Sequence, residues 1–286
     1  MIDYEFFLKQ KIRYQKSYIE PNNPLQIYIQ HQNKGIITFD ATTKNTYQYK
    51  VKDTYGNLSS IAFPIVGNYH QRQKEPISYD TLFSYQDSNY FSAKNISVSI
   101  PKNALYKDLP FRFSKSAPLI NTLSPIYYLH DEYTPLHKAI NVAIKMEGLT
   151  VNEKQKAIVV YLDDQQHFSS LGGTWHNDVI EASAKKWGGF AVMLDTIAPK
   201  ITPINIFKNK NMARNTTISI KIADDLSGIK SFSGTIDGKW AMMEYEAKKA
   251  TIYHTFDALP KGKHTFELVL TDGVGNQSYV SIPFIR

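Results

Sequence analysis

The sequence predicts an all-β protein made of tandem immunoglobulin-like or fibronectin-like β-sandwich modules, with a short helical segment at the N-terminus. Three observations support this prediction. Apolar and polar residues alternate with a period of two through most of the chain after residue 25, as in half-buried strands. Turn signals rich in Gly, Asn, Asp and Pro separate these stretches. The 19 Tyr and 15 Phe residues also favour strands.

The first 75 residues divide into two predicted segments. Residues 1–24 form a helical lead-in, which ends where two prolines and two asparagines follow Glu20. Residues 25–75 form a small Ig-like β meander. Its predicted strands cover 25–31, 35–41, 46–53 and 58–67. Because a core is marginal below about 60 residues, we expect this meander to pack on a neighbour or on a part outside this chain.

Two larger modules follow. The middle module, residues 76–198, is sandwich-like, and the segment 168–187 within it fits either a strand pair or a helical turn. Its other predicted strands cover 95–101, 109–115, 139–146, 156–163 and 188–194. An extended connector around Pro199 leads into the C-terminal Ig-like sandwich, residues 199–286. The strands predicted there cover 216–224, 229–237, 239–247, 251–258, 263–272 and 279–285.

Composition excludes several classes of function. The net charge of +7 is spread along the chain without a run of five basic residues, which argues against nucleic-acid binding. The absence of Cys excludes disulfides, thiolate catalysis and Cys-ligated zinc. No stretch approaches the roughly 20 apolar residues of a transmembrane helix. The charged N-terminus lacks a signal-peptide pattern, so an exported protein would need a signal outside this chain.

A motif of the form D-x-x-G-N-x-S occurs twice, near the end of the first predicted module and near the end of the last. Asp and Ser cap backbone N–H groups while Gly and Asn accept positive φ, so the motif predicts a hairpin turn. A calcium loop is the alternative, although one Asp and one Asn per loop are few for an ion that takes six to eight oxygens. A third turn is predicted over 224–228, where a cation is again the less favoured alternative. The predicted turn residues are Asp53, Gly56, Asn57, Ser59, Asp225, Gly228, Asp272, Gly275, Asn276 and Ser278.

No catalytic motif stands out. Neither HExxH nor His-x-His occurs among the eight histidines. The nearest metal-like group is His130, Asp131 and His137, but Pro135 prevents a helix from stacking the two imidazoles, so surface histidines are the favoured interpretation. Trp175, Trp187 and Trp240 could form a sugar-stacking surface, with Trp175 and Trp240 as the binding candidates, although packing is the commoner role of such residues.

Several segments in combination resemble a known family. Seven segments follow one another along the chain: IDYE, EPNNPLQIY, VKDTYGNLSSIAFPIVG, LGGTWHND, GGFAVMLDTIAPKI, KIADDLSGIKSFSGTIDGKWAMMEYE and HTFELVLTDGVGNQS. Together they resemble the region after the catalytic domain in large exported endopeptidases of Bacteroidetes. Those enzymes are LytM or lysostaphin-type zinc peptidases that cleave murein cross-links. The family holds zinc with a His and an Asp of one motif and a His of a later His-x-His motif.

The resemblance implies a non-catalytic chain, because His-x-His is absent and no catalytic residue carries over. Zinc would belong only to a peptidase domain outside this chain, and no cofactor is expected within it. The expected role is to position, stabilise or target a murein endopeptidase in the periplasm or outer envelope. Expected partners are that domain, an envelope protein or murein. Two alternatives stay open: an adhesin-like module for glycan or protein, and an enzyme using His130, Asp131 and His137.

Overall fold

The computed structural model describes residues 2–28, 32–38, 44–67, 78–257 and 259–286. The all-β prediction is confirmed, since strands dominate and helices are short. None of the helices in these residues is long and apolar enough to span a membrane.

The N-terminal helix is shorter than predicted. Helix α1 (Tyr4–Gln10) begins where Asp3 accepts a hydrogen bond from the backbone N–H of Phe6 and ends at Lys11, whose φ is +58°. The chain then turns back, and Ile2 forms a β-bridge with Gln15. The apolar residues beyond residue 10 therefore belong to an irregular segment that turns back along α1, and not to the predicted helix.

The lead-in is docked on the middle module. Asn22 donates from its backbone N–H to Tyr106 O (3.0 Å) and from Nδ2 to Leu105 O (2.6 Å). His137 Nε2 donates to the carbonyl oxygen of Asn22 (2.8 Å). Lys9 Nζ lies 3.1 Å from Asp131 Oδ2. These contacts attach the lead-in to the middle module, although residues 25–75 separate the two in sequence.

The predicted meander is a single hairpin in the described residues. Strands β1 (Lys44–Lys52) and β2 (Leu58–Val66) pair antiparallel, with both faces largely exposed. The predicted strands at 25–31 and 35–41 are wrong where residues 25–28 and 36–38 are described, since neither part is a strand. Residues 29–31 and 39–41 lie outside the described residues. Alternation alone does not make a strand, because a ladder also needs a partner.

The middle module is a β-sandwich. Its strands are β3 (Thr81–Phe83), β4 (Asn89–Ala93), β5 (Ile96–Ile100), β6 (Leu109–Phe111), β7 (Phe113–Lys115), β8 (Tyr127–Leu129), β9 (Ile140–Lys145), β10 (Ala157–Leu162), β11 (Phe168–Gly172), β12 (Thr174–His176), β13 (Val179–Ala184) and β14 (Gly188–Leu194). One sheet has the order β11-β10-β14-β8-β7 and the other β12-β13-β9-β5-β4, while β3 and β6 form a small pair. Strand pairing in all three sheets is antiparallel.

The structure adds one helix that was not predicted in this module and decides between the two predictions for the segment 168–187. A helix, α2 (Val151–Lys156), precedes β10 and is capped reciprocally by Thr150 and Glu153, a capping-box signal that the alternation analysis missed. The segment 168–187 forms strands and not a helical turn.

Every residue of β10 is buried. A strand with one face open to solvent would instead have exposed residues at every second position. Val159 and Tyr161 face the module's own core, whereas Ile158 and Val160 join a second apolar cluster. Leu226 and Val274 of the C-terminal module pack on this second cluster. The two modules therefore share an apolar junction.

The C-terminal module is a second sandwich. Its strands are β15 (Lys200–Pro203), β16 (Lys210–Asn211), β17 (Thr217–Ala223), β18 (Ile229–Ile236), β19 (Lys239–Ala241), β20 (Glu244–Glu246), β21 (Thr251–Thr255), β22 (Lys263–Asp272) and β23 (Gln277–Ile285). The sheets have the orders β15-β17-β21-β20 and β16-β23-β22-β18-β19. The predicted strand at 239–247 is two strands, β19 and β20, in different sheets. Residue 258, the end of the predicted strand 251–258, lies outside the described residues.

A titratable pair links β18 to β22. His264 Nδ1 lies 2.7 Å from Asp237 Oδ2, and its Nε2 lies 2.9 Å from Pro260 O. The hydrogen bond to Asp237 raises the pKa of His264, and the same bond lowers the pKa of Asp237. The His264 contribution to stability is therefore complete below the ordinary histidine pKa of about 6.5 and is lost as pH rises through the raised pKa.

We expect His264→Gln to lower the melting temperature most near pH 5 to 6, with a difference from the unsubstituted chain that shrinks toward pH 9. Thermal unfolding of both chains across this pH range measures it. A difference that stays constant with pH would contradict the ionic role of His264.

Candidate functional site

A large open cleft lies between the lead-in and the middle module. Its volume is about 2140 Å³. One wall comes from α1 and the segment that follows it, residues 11–20. The other wall comes from the ends of β6, β8 and β10 with the loops that follow them. The aromatic lining residues include Tyr4, Phe7, Tyr79, Tyr106, Phe113, Tyr128, Tyr133 and Tyr161, and the charged ones include Arg13, Arg112, Asp131, Glu132, Asp163, Asp164, Lys185 and Lys186.

His130 lies in the cleft wall in an unusual conformation. Its φ is +56°, a left-handed value that is uncommon for residues other than glycine. Its ring contacts the rings of Phe111 and Trp187, with centroids 6.1 and 5.9 Å away. Its Nδ1 is buried and has no hydrogen-bond partner among the described residues. Burial lowers the pKa of His130, so its imidazole is neutral near pH 7.

Two tyrosine hydroxyl groups of the cleft donate hydrogen bonds to carboxylates. Tyr133 donates its O–H to Asp164 Oδ2 (3.0 Å). Tyr161 donates to Glu132 Oε2 (3.0 Å) and is also 3.2 Å from Trp187 O. Burial, assisted by Glu132, raises the pKa of Tyr161, so this phenol stays protonated as a hydrogen-bond donor. The cleft thus presents aromatic faces beside donors and acceptors of both charges.

The structure does not gather His130, Asp131 and His137 into a ligand set. His137 is occupied by Asn22 and stacks on Tyr106, with ring centroids 3.6 Å apart. Asp131 pairs with Lys9. Among the described residues, the group of three metal-ligating side chains lies elsewhere, at the module junction.

The tryptophans have separate roles. Trp175 in β12 donates from Nε1 to Lys154 O (2.7 Å), and Lys154 Nζ lies 5.2 Å from its ring centroid, so it anchors α2. Trp187 is fully buried in the core of the middle module. Trp240 in β19 of the C-terminal module is 73% exposed. Trp175 and Trp240 thus belong to different modules.

Both copies of D-x-x-G-N-x-S form the same turn. Asp53 Oδ1 accepts from the backbone N–H groups of Tyr55 and Asn57, both at 2.9 Å, and Oδ2 accepts from Asn57 Nδ2 (2.7 Å). In the second copy Asp272 accepts from the corresponding three donors of Val274 and Asn276, at 3.0, 2.7 and 2.6 Å. The glycine of each turn, Gly56 or Gly275, has a positive φ (91° and 84°).

The second copy also connects the modules. Asn276 Nδ2 donates to Asp195 O (3.0 Å), and the Ser278 hydroxyl donates to Pro199 O. Asp272 is fully buried, whereas the residues of the first copy, including Ser59, are exposed. The same turn is therefore a free hairpin tip in one place and part of an interface in the other.

Three carboxylates converge at this interface. Asp195, Asp224 and Asp272 each offer an oxygen within 4.8 Å of the others. Asp195 follows β14, Asp224 follows β17 and Asp272 ends β22. The turn after β17 is predicted over 224–228, with Asp225 and Gly228 as its turn residues. In the structure the carboxylate that accepts from the N–H groups of Leu226 and Gly228 is Asp224, whereas Asp225 is exposed.

Sequence reasoning missed Asp195 and favoured a simple turn over a cation site at Asp224. The available signal was position: each directly follows an alternating strand, and both occur in the segments that flank the predicted module boundary. Only the three-dimensional arrangement of the two modules reveals that these strand ends meet.

Comparisons with known proteins give similarities to one family model and to several solved structures. A family model described as a Zu5-like domain matches residues 80–195. The chain is similar to the fibronectin(III)-like modules of Clostridium thermocellum CbhA, with 12% identity over 52% of this chain and 85% of that one and a TM-score of 0.24. No curated protein matches.

Two further solved structures cover more of this chain. A polysaccharide lyase, BACCELL_00875, has 8% identity over 84% of this chain and 39% of that chain, with a TM-score of 0.22. The extracellular domain of the putative one component system BT4673 from B. thetaiotaomicron has 10% identity over 83% of this chain and 35% of that chain, with a TM-score of 0.25. The chain spans less than half the length of either.

Proposed function

We propose that this chain is a non-catalytic binding module of an exported envelope protein, and that the cleft beside the lead-in takes a murein strand. The observation that supports this proposal is the lining of the cleft, in which aromatic rings lie beside charged groups of both signs. Sugars stack on aromatic faces and hydrogen-bond to polar groups, and the stem peptides of murein add carboxylates and amines. A neutral polysaccharide would use only part of this surface.

The resemblance to the accessory region of LytM-type endopeptidases supports the same ligand. In that role the chain would hold a separate zinc peptidase on its substrate. An adhesin-like role toward another glycan is the second candidate, favoured by the eight aromatic residues of the cleft. The two differ in whether charged stem peptides contribute to binding.

The test uses a matched pair of tyrosines. Tyr79 lines the cleft and is 49% exposed, whereas Tyr90 in β4 is 63% exposed and lies outside the lining. We expect Tyr79→Ala to weaken cosedimentation of the full chain with purified murein sacculi by about tenfold, since stacking and ring contacts are worth about 1 to 2 kcal/mol. Tyr90→Ala should bind like the unsubstituted chain.

Soluble neutral polysaccharides serve as the competing ligand. Retention by sacculi that such polysaccharides do not displace supports the murein proposal. Equal losses for Tyr79→Ala and Tyr90→Ala, or no retention by sacculi at all, would overturn it. Release of peptide fragments from sacculi by the purified chain with added zinc would contradict the non-catalytic role.

A further inference from the structure

The carboxylates of Asp195, Asp224 and Asp272 occupy the junction between the two sandwiches, where Asp195 and Asp272 are buried and Asp224 is half-buried. Asp195 is 2% exposed and Asp272 is 0% exposed. The Oδ1 atom of Asp224 is buried and has no hydrogen-bond partner among the described residues. An ionised oxygen without a partner in such a place is costly.

No ion pair within the described part of the chain neutralises these three carboxylates. None of its lysines, arginines or histidines forms an ion pair with the three aspartates. Lys156 is held against the same loop, but its Nζ donates to Val274 O (3.1 Å). Burial, together with the charges of Asp195 and Asp272, raises the pKa of Asp224. Three like charges are therefore held close together by the fold.

The carboxylates are fixed in place before any ion arrives. Asp195 Oδ2 accepts from Ser227 N (3.0 Å), and Asp272 is held by its own turn. Asp224 Oδ2 accepts from the N–H groups of Leu226 and Gly228, at 3.2 and 2.7 Å. Each carboxylate oxygen can accept more than one bond, so these contacts orient the group and leave lone pairs free.

We infer that the junction binds one calcium ion through Asp195, Asp224 and Asp272. Ligand oxygens within 4.8 Å of one another fit around one ion, because Ca–O distances of about 2.4 Å place opposite ligands about that far apart. The donors are all oxygens of hard carboxylates, without histidine or cysteine, which favours calcium over zinc. The unpartnered Asp224 oxygen supplies a ligand that the protein itself does not satisfy.

Such an ion would connect three segments that belong to different parts of the fold. Asp195 lies at the end of the middle module, while Asp224 and Asp272 come from two loops of the C-terminal module. Calcium would thus fix the angle between the modules as well as stabilise each loop. This inference is independent of the proposed function, because it concerns the junction and not the cleft.

The test compares Asp224→Asn with Asp225→Asn in the full chain. Both substitutions remove one negative charge from neighbouring positions, but Asp225 is exposed and outside the cluster. Asparagine at 224 keeps an acceptor for the loop N–H groups, so this variant should fold. Isothermal titration of the chelator-treated chain with calcium chloride is expected to give one ion per chain, with at least a tenfold loss of affinity for Asp224→Asn and none for Asp225→Asn.

Thermal unfolding gives a second readout. Calcium should raise the melting temperature of the unsubstituted chain and of Asp225→Asn by several degrees, because a ligand that binds only the folded state stabilises it, and should leave Asp224→Asn unchanged. Absence of calcium binding, or equal binding by Asp224→Asn, would overturn the inference. So would a chain that is insensitive to calcium but gains stability on acidification, since a shared proton would then replace the ion.

Discussion

Replacing Asp272 by alanine is expected to destabilise the C-terminal module by about 3 kcal/mol in the presence of a chelator. The fully buried carboxylate accepts three hydrogen bonds from the half-buried Val274 and Asn276. A donor that is buried and loses its acceptor costs about 1 to 3 kcal/mol, and here the loss is reduced by partial access to water and by relief of repulsion from the neighbouring aspartates. Urea unfolding followed by tryptophan fluorescence, with hydrogen exchange to assign the module, measures the loss.

Asp53→Ala is the matched control for this substitution. Asp53 makes the same three hydrogen bonds in the same type of turn, but that turn is exposed to water. Water replaces the lost acceptor there, so we expect a loss confined to the hairpin β1–β2 and far smaller than that of Asp272→Ala. Equal losses in the two variants would mean that burial at the junction does not determine the strength of the turn.

Replacing Trp187 by alanine is expected to cost about 3 to 5 kcal/mol, the usual range for emptying a buried aromatic site. Trp187 is fully buried and contacts the rings of Phe111 and His130. Its Nε1 has no hydrogen-bond partner among the described residues. Trp187→Phe should therefore cost clearly less than Trp187→Ala, because it removes no polar partner.

Trp240→Ala supplies the control for the loss of an indole. Trp240 is 73% exposed at the sheet edge of the C-terminal module, so its removal should leave the free energy of unfolding nearly unchanged. Chemical unfolding of the three variants gives the comparison. If Trp187→Phe lost as much stability as Trp187→Ala, a hydrogen bond of the indole that the structure does not record would have to account for it.

The period-two pattern predicted the two sandwiches well because each buries one face of most strands. In β22 and β9 buried and exposed residues alternate almost perfectly, so the sequence carries the signal directly. Strand β10 lost this signal because its second face is covered by the other module. Strands β3 and β6, which pair with each other, have three residues each. A segment of that length is too short to show a period of two.

The lead-in and the candidate sites were harder to predict, because they depend on contacts between residues distant in sequence. The apolar residues of 25–28 alternate with polar ones, yet they are not in a strand. The three junction aspartates are separated by 29 or more positions and meet only when the two modules pack. Both Asp224 and Asp225 lie in the predicted turn, but which of the two adjacent carboxylates accepts from the loop N–H groups depends on the loop conformation.

The docking of Asn22 on Tyr106 and Leu105 changes how the domains of this protein are counted. Beyond the hairpin the chain returns to the same module, where Arg112 Nε donates to Ser78 O (3.1 Å) and Asp80 N donates to Phe111 O (2.8 Å). Residues on both sides of the hairpin, Asn22 before it and Ser78 and Asp80 after it, thus contact the same sandwich. We interpret the lead-in and the middle sandwich as one discontinuous domain, with the hairpin β1–β2 inserted within it.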